Sequence, residues 1–266
     1  MRGSNYDDIL LGSSGDDRIR GQGGNDYIDG GAGTGDRIEF GGSTYGIHVD
    51  LSQNMVFDDG HGAGTQDQVF NIERVNGSVQ DDLIIGDDED NWLSGNIGSD
   101  EIYGGDGHDT LLGGEGSWAA DGADVGFTFD DKLYGEAGND RLEGGLGNDA
   151  LYGGEGEDVF VLSVDGISSD TIEDYVLGED EIDLTGIFDL PDDFSPGTVD
   201  ASDISDYVSY NSTTGELFVD DTGSGDPVSN GVKVATIDSD PTAGFSAPAN
   251  ISILVDDGVD TTSVVI

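Results

Sequence analysis

The sequence predicts an all-β chain, a parallel β-roll over residues 1–162 followed by a smaller antiparallel β cap over residues 163–266. Three observations predict it. Glycine and aspartate recur with a period of nine, a large apolar residue stands two places after each such aspartate, and the period stops just after Leu162. Of 46 glycines, 36 fall in residues 1–162, so only the front part is periodic, although both parts are acidic.

Composition narrows the function before any motif is read. The chain carries 58 Asp and Glu against 8 Lys and Arg, a formal charge of −50. Such a polyanion repels nucleic acid and anionic lipid. Its longest apolar runs, such as Ile9-Leu10-Leu11 and Leu83-Ile84-Ile85, are far too short for membrane insertion. Residues 1–30 hold no signal-peptide apolar core, so export would need another address. The chain has no cysteine, which removes disulfides, thiolate metal sites and Cys nucleophiles. One-signed charge with 34% hydrophobic residues would suggest disorder. Against that, the acids are mostly Asp and sit at fixed distances from Gly.

Internal repeats carry the main signal. Gly104 to Leu112, Gly144 to Tyr152 and Gly153 to Val161 each match G-G-x-G-x-D-x-U-x, where U is large and apolar. Looser rows open at Gly3, Gly12, Gly21 and Gly30, the last one residue longer. A second series opens at Gly77, Gly86, Gly95, Gly104, Gly113, Gly135, Gly144 and Gly153. An insertion over residues 117–129, with Trp118, Phe127 and Phe129, stretches the row from Gly113, and Asp131-Lys132-Leu133 restores the phase. These rows resemble the RTX (repeats-in-toxin) calcium-binding nonapeptide family. The resemblance spans most of residues 3–161 and implies a calcium-binding β-roll.

The residues support the same reading physically. Six Gly-rich residues of each row are expected to turn and the last three to be extended. Glycine permits positive φ, which aims successive carbonyls inward. Alternation along the extended part places the eighth residue on the inner face. That column reads Leu10, Ile19, Ile28, Ile38, Ile84, Leu93, Ile102, Leu111, Leu133, Leu142, Leu151 and Phe160.

The sixth column supplies the candidate ligands: Asp8, Asp17, Asp26, Asp36, Asp82, Asn91, Asp100, Asp109, Asp131, Asp140, Asp149 and Asp158. Turn glycines Gly105, Gly107, Gly145, Gly147, Gly154 and Gly156 join them through their carbonyls. Consecutive turns fall on opposite edges of a roll, so rows two apart stack at about 4.8 Å. Carboxylates that close repel unless a cation sits between them, and carboxylates with carbonyls form the hard-oxygen shell that Ca²⁺ prefers. One edge is expected to hold Asp82, Asp100, Asp131 and Asp149, the other Asn91, Asp109, Asp140 and Asp158. Asp8 pairs with Asp26, and Asp17 with Asp36. These gaps predict about eight Ca²⁺ ions. Gly-Asp turns in ordinary loops, or general acid enrichment for salt, would not place an apolar residue after every aspartate.

Residues 41–76 read as a roll extension. Ile47, Val49 and Leu51 share one strand face, and Asp67-Gln-Val69 reads as a degenerate turn and core pair that adds Asp67 to the candidate ligands. Ile72 and Val75 follow.

Past Leu162 the chain resembles the closing segment and C-terminal target domain of type I secreted proteins. Asp170-Thr-Ile-Glu-Asp174-Tyr175 and Gly178 to Leu184 carry the first likeness, Tyr210 to Gly225 the second. The latter also reads as a hairpin, with a turn at Ser212 to Gly215 and a strand to Val219. Val232, Val234, Ile237, Ile251, Ile253 and Val255 supply further alternating strands, and Val264-Val265-Ile266 forms an apolar end. The resemblance implies one-step export by type I secretion machinery to the outside of the cell or its surface. The same residues also suit a plain cap over the end of the roll.

Nothing in the chain reads as an enzyme. His48, His61 and His108 are scattered, and neither H-E-x-x-H nor G-x-S-x-G occurs. Ile85, Tyr103, Tyr134 and Tyr152 form an outer apolar stripe, readable as a polysaccharide platform or as a surface covered by the insertion or the tail. Arg18, Arg20 and Arg37 gather on the opposite sheet and read as local charge relief. Two functional classes stay open: a calcium-folding secretion and stability module at the end of a large adhesin or similar surface protein, and an accessory, polysaccharide-binding module of a secreted enzyme such as a protease, lipase or alginate epimerase.

Overall fold

A computed structural model describes residues 1–61, 65–114, 129–163, 169–185, 207–220, 232–239, 247, 250–256 and 261–266. Most of the insertion over 117–129, including Trp118 and Phe127, and the Gly223–Gly225 turn lie outside the described residues, which contain strands and no helix.

Two sheets of 13 and 10 strands face each other across one apolar core. Successive rows alternate between them, so each strand pairs in parallel with the row two further on. On one sheet Ile84, Ile102, Leu133, Leu151 and Ile172 are in register; on the other Leu93, Leu111, Leu142, Phe160 and Ile182 are. All ten side chains are completely buried. Burying a Leu or Ile contributes roughly 1.5–3 kcal/mol, and the roll gathers this once per row. Only Leu10, in the outermost row, is partly exposed.

The strands outgrow the three residues expected of them. Glu101–Asp106, Lys132–Ala137 and Ala150–Glu155 each run six residues, into the first half of the following turn. Pairing resumes one place after the first glycine, as at Gly105 opposite Glu136 and Gly114 opposite Gly145. The side-chain alternation therefore carries glycines to the inner face at the ends of the strands, where no other residue would fit.

Residues 41–76 keep the core column but change strand direction. His48–Asp50 lies parallel to Leu83–Ile85, while Met55–Asp58 runs antiparallel between His48–Asp50 and Asp67–Phe70. Ile47, Val49, Leu51, Val56, Val69, Ile72 and Val75 are all buried.

Both sheets continue beyond Leu162. Asp170–Ile172 and Val232–Ile237 extend one in parallel, Glu181–Asp183 and Ser252–Asp256 the other. The antiparallel part follows: Val208–Asn211 and Glu216–Val219 form the hairpin expected around Ser212–Gly215, and Thr261–Val265 closes the second sheet.

Candidate metal centre

The sixth-column residues line the two edges of the roll, stacked two rows apart. Asp26, Asp36, Asp67, Asp82, Asn91, Asp100, Asp109, Asp131, Asp140, Asp149 and Asp158 are buried, whereas Asp8 and Asp17, at the amino-terminal end, are half-buried. On one edge the backbone N–H groups of Asp82, Asp100 and Asp131 donate to Oδ1 of Asp100, Asp131 and Asp149, at 2.7–2.8 Å. On the other, Asn91, Asp109 and Asp140 donate to Asp109, Asp140 and Asp158 at 2.8–2.9 Å. The amino-terminal rows do the same from Asp8 to Asp26 and from Asp17 to Asp36. Each aspartate thus uses one oxygen to hold the turn two rows before it.

The other oxygen decides the chemistry. Oδ2 of Asp26, Asp36, Asp67, Asp100, Asp109, Asp140 and Asp158 is buried without a hydrogen-bond partner. Burial pushes the carboxyl of Asp100 up to about 8, that of Asp131 to about 9, and those of Asp67, Asp109 and Asp158 to about 7. Stacked neighbours raise them further, Asp82 acting on Asp100 and Asp140 on Asp109. An ionised carboxylate taken out of water costs several kcal/mol unless it is paired. Repeated along both edges, that cost points to cations.

The donors fit calcium. Among the described residues no three His, Asp or Glu side chains already converge into a metal-holding group. Each turn brings one carboxylate, so most of a six-to-eight-oxygen shell falls to backbone carbonyls. Glycine makes those turns in two ways. Gly105, Gly107, Gly145, Gly147, Gly154 and Gly156 all adopt φ between 96° and 145°. The first glycine of a row has another role: a Cβ on Gly104, Gly113, Gly135, Gly144 or Gly153 would run into Oδ2 of the same row's aspartate. Four rows place Ser13, Gln22, Asn96 or Glu136 at positive φ in the second position, where a side chain costs roughly 1–2 kcal/mol.

The stacks are longer than the motif. Asp26 donates to Asp67, Asp36 to Glu73, Asp149 to Asp170 and Asp158 to Asp180. Only Asp67 is foreseen from the sequence. Yet Glu73-Arg-Val75, Asp170-Thr-Ile172 and Asp180-Glu-Ile182 all keep the acid two places before a buried apolar residue, which is the signal that finds them.

Two surface features take definite form. Tyr103, Tyr134 and Tyr152 stack face to face, with centroids 4.6 Å apart and planes at 6° and 14°. The inner faces of the rings are occupied by one another, which leaves mainly edges for a sugar ring. Arg18, Arg20 and Arg37 converge on the buried Glu39. Burial pulls that carboxyl up, but hydrogen bonds and charge from Arg18 and Arg20 outweigh it and hold it below its usual range. The arginines therefore relieve a buried charge. His48 packs on Phe57, and His108 is exposed in its turn, accepting from Asn139 N–H at 2.8 Å.

The RTX calcium-binding nonapeptide repeat matches the chain in four copies, over residues 2–35, 72–96, 85–117 and 125–160. These rows are RTX repeats. Over those residues the chain carries calcium-binding RTX repeats, and the ladder residues Asp8, Asp17, Asp26, Asp82, Asn91, Asp100, Asp109, Asp131, Asp140, Asp149 and Asp158 fall within them. No curated protein matches the chain in sequence. Among solved structures it is similar to the extracellular lipase LipA from Serratia marcescens, at 15% identity and a TM-score of 0.21 over 88% of this chain. The matched region spans 36% of the lipase chain, about a third of its length.

Proposed function

We propose that the chain is a calcium-dependent folding module of a type I secreted protein, unfolded for export and stabilised outside the cell. The unpartnered buried oxygens of the aspartate ladders support this reading most directly. Without cations, a charge of −50 opposes compaction and the ladders bring carboxylates together. Bound calcium supplies two positive charges per ion and oxygen-selective coordination. The aspartates hold neighbouring turns through Oδ1 and present Oδ2 toward the ion, while the inner column buries one apolar side chain per row. Folding and ion binding are then one equilibrium. Each tenfold of free ion above a site's dissociation constant adds about 1.4 kcal/mol. Extracellular calcium modules commonly bind at about 10⁻⁴–10⁻³ M, so low cytosolic calcium keeps the chain threadable.

The inter-row gaps suggest about eight ions. The acidic C-terminal region is assigned to recognition by the type I secretion machinery, and the module to the C-terminal part of a large adhesin or other surface protein, without catalytic activity of its own. The competing assignment, a polysaccharide-binding accessory module of a secreted enzyme, draws on the tyrosine stripe, whose stacked faces give it little support.

Circular dichroism in EGTA and then in millimolar calcium tests the switch. Near pH 8 strand signal is expected only with calcium, and identical spectra there would sink the proposal. The coding sequence ahead of residue 1 separates the two settings: repeated β-sandwich domains favour the adhesin, a catalytic motif the enzyme.

A further inference from the structure

The outer face of the ten-stranded sheet is basic at one end of an otherwise acidic chain. Arg18, Arg37 and Arg74 stand opposite one another in three successive strands. Their neighbours Ile19, Ile38 and Val75 are buried in the core, so the arginines lie on the outer face. Adjacent strands are about 4.8 Å apart, which sets the three in one line across the sheet. Arg20 shares that face, two places after Arg18, and Arg2 bridges to Arg20 in parallel. Arg2, Arg18, Arg20, Arg37 and Arg74 are five of the chain's eight basic residues.

Relief of Glu39 does not account for all of them. Arg18, Arg20 and Arg37 converge on a single carboxylate, which neutralises one positive charge of the three. The side chains of Arg18 and Arg20 stay 60% and 41% exposed, so the excess faces solvent. Both line a cleft of about 330 Å³ together with Glu39, Asn76, Val79 and Asn96, within the size range of small-ligand pockets. Oδ1 of Asn76 is buried without a hydrogen-bond partner, and a buried acceptor costs free energy until a donor reaches it. Asn96 Nδ2 donates to the Gly77 carbonyl at 2.9 Å, which fixes that amide in the lining. Val79 adds exposed apolar surface.

We propose that this cleft binds a carboxylated saccharide, its carboxylate on Arg18 and Arg20 and a ring hydroxyl donating to Asn76 Oδ1. Guanidinium groups pair well with carboxylates, as these already do with Glu39. The unpartnered acceptor calls for a ligand that brings a donor as well as negative charge, which a sulfate ion lacks. Val79 gives the C–H face of a sugar ring an apolar contact. An acidic peptide would instead add to a strand edge, and the edge beside the arginines is taken. There Arg20 N–H donates to the Met1 carbonyl at 3.1 Å, and Gly3 N–H to the Arg20 carbonyl at 2.8 Å. The site lies on the sheet opposite the tyrosine stripe and uses no metal, so it stands apart from the calcium reading.

Isothermal titration calorimetry of the whole chain in millimolar calcium tests it, with trigalacturonate as the probe. Maltotriose, triglutamate and sulfate are the comparisons, each expected to bind about tenfold more weakly or less. Arg18→Gln leaves Glu39 with Arg20 and Arg37, and should weaken trigalacturonate binding about tenfold, the loss of one charged hydrogen bond. Lys132→Gln removes the same charge from the other sheet and should change it by less than about twofold. No binding by the wild type, or no difference between the two variants, would overturn the site; the second result means that bulk charge or repeat calcium holds the sugar. Tighter binding of triglutamate or sulfate would overturn the saccharide assignment. Should Arg18→Gln fail to fold in calcium, the side-chain amide resonances of Asn76 in the wild type decide. They are expected to shift with trigalacturonate and not with maltotriose, and unmoved resonances refute the inference.

Discussion

The rows from Gly104 to Val161 and the segment 41–76 occupy the same sheets and share the same core, yet turn the chain by different means. In the rows, glycines at positive φ and a stacked aspartate make each corner. In the segment, an antiparallel hairpin reverses the chain, while Asp67 and Glu73 continue the ladder beyond it. Ile47 stands where a row would place aspartate, while Val49 keeps the inner column without a gap. The contrast separates two requirements: the apolar column demands only burial, whereas the six-residue corner demands both glycine and a cation.

The largest effect that could break this contrast is expected from pH in the metal-free chain. Burial raises the folded-state carboxyls of Asp100, Asp109, Asp131 and Asp158 to about 7 to 9 from an ordinary value of 3.8. The protonated forms therefore favour folding. Their contribution is complete below about pH 4 and is lost as pH rises through 7 to 9. In EGTA, circular dichroism should show strand structure gained on acidification and lost toward pH 9. Calcium should abolish that dependence near neutrality, and a metal-free chain equally unstructured at pH 4 and pH 8 would contradict the account.

Glycine substitutions come next. A Cβ on Gly104 would overlap the Asp109 carboxylate and approach the Gly135 carbonyl to 2.7 Å, whereas one on Gly42 meets nothing within 4 Å. Gly104→Ala should cost about 4 kcal/mol or more and Gly42→Ala no more than about 0.5 kcal/mol, by denaturant titration in calcium. Equal costs would erase the distinction between the two regions.

The shared column predicts similarity instead. Leu111→Ala in a row and Ile72→Ala in the segment should each cost about 2–5 kcal/mol, because both side chains are buried in one core. The smallest change sharpens the role of charge. Asn91→Asp restores the missing carboxylate on its edge and should lower the calcium midpoint for folding by about threefold, since ligand charge tunes affinity. An unchanged midpoint in a calcium titration would show that shape alone matters at that position.

The sequence made the regular features legible and concealed the exceptions. The positions of Leu111, Leu142 and Phe160, and the alternation of Asp100 and Asp109 between edges, follow from a nine-residue period and strand geometry. The six-residue strands were not legible, because the second residue of each turn, such as Gly105 or Gly114, also pairs across the sheet. The reversal at Met55–Asp58 was hidden for another reason: strand direction depends on partners, and Val56 alternates equally well either way. Asp170 and Asp180 carry the acid-to-apolar spacing without the full set of turn glycines, Asp180 keeping only Gly178 two places before it.

The ladder has a direction. Each turn's N–H is held by a carboxylate belonging to the row after next, and two of these holders, Asp170 and Asp180, lie beyond the repeats. Order is therefore handed backward along the chain, and every corner waits for a later residue to complete it. A polypeptide emerging with its carboxyl end in front would crystallise into shape from its leading tip. One emerging the other way would trail loose coil until its final segment came through.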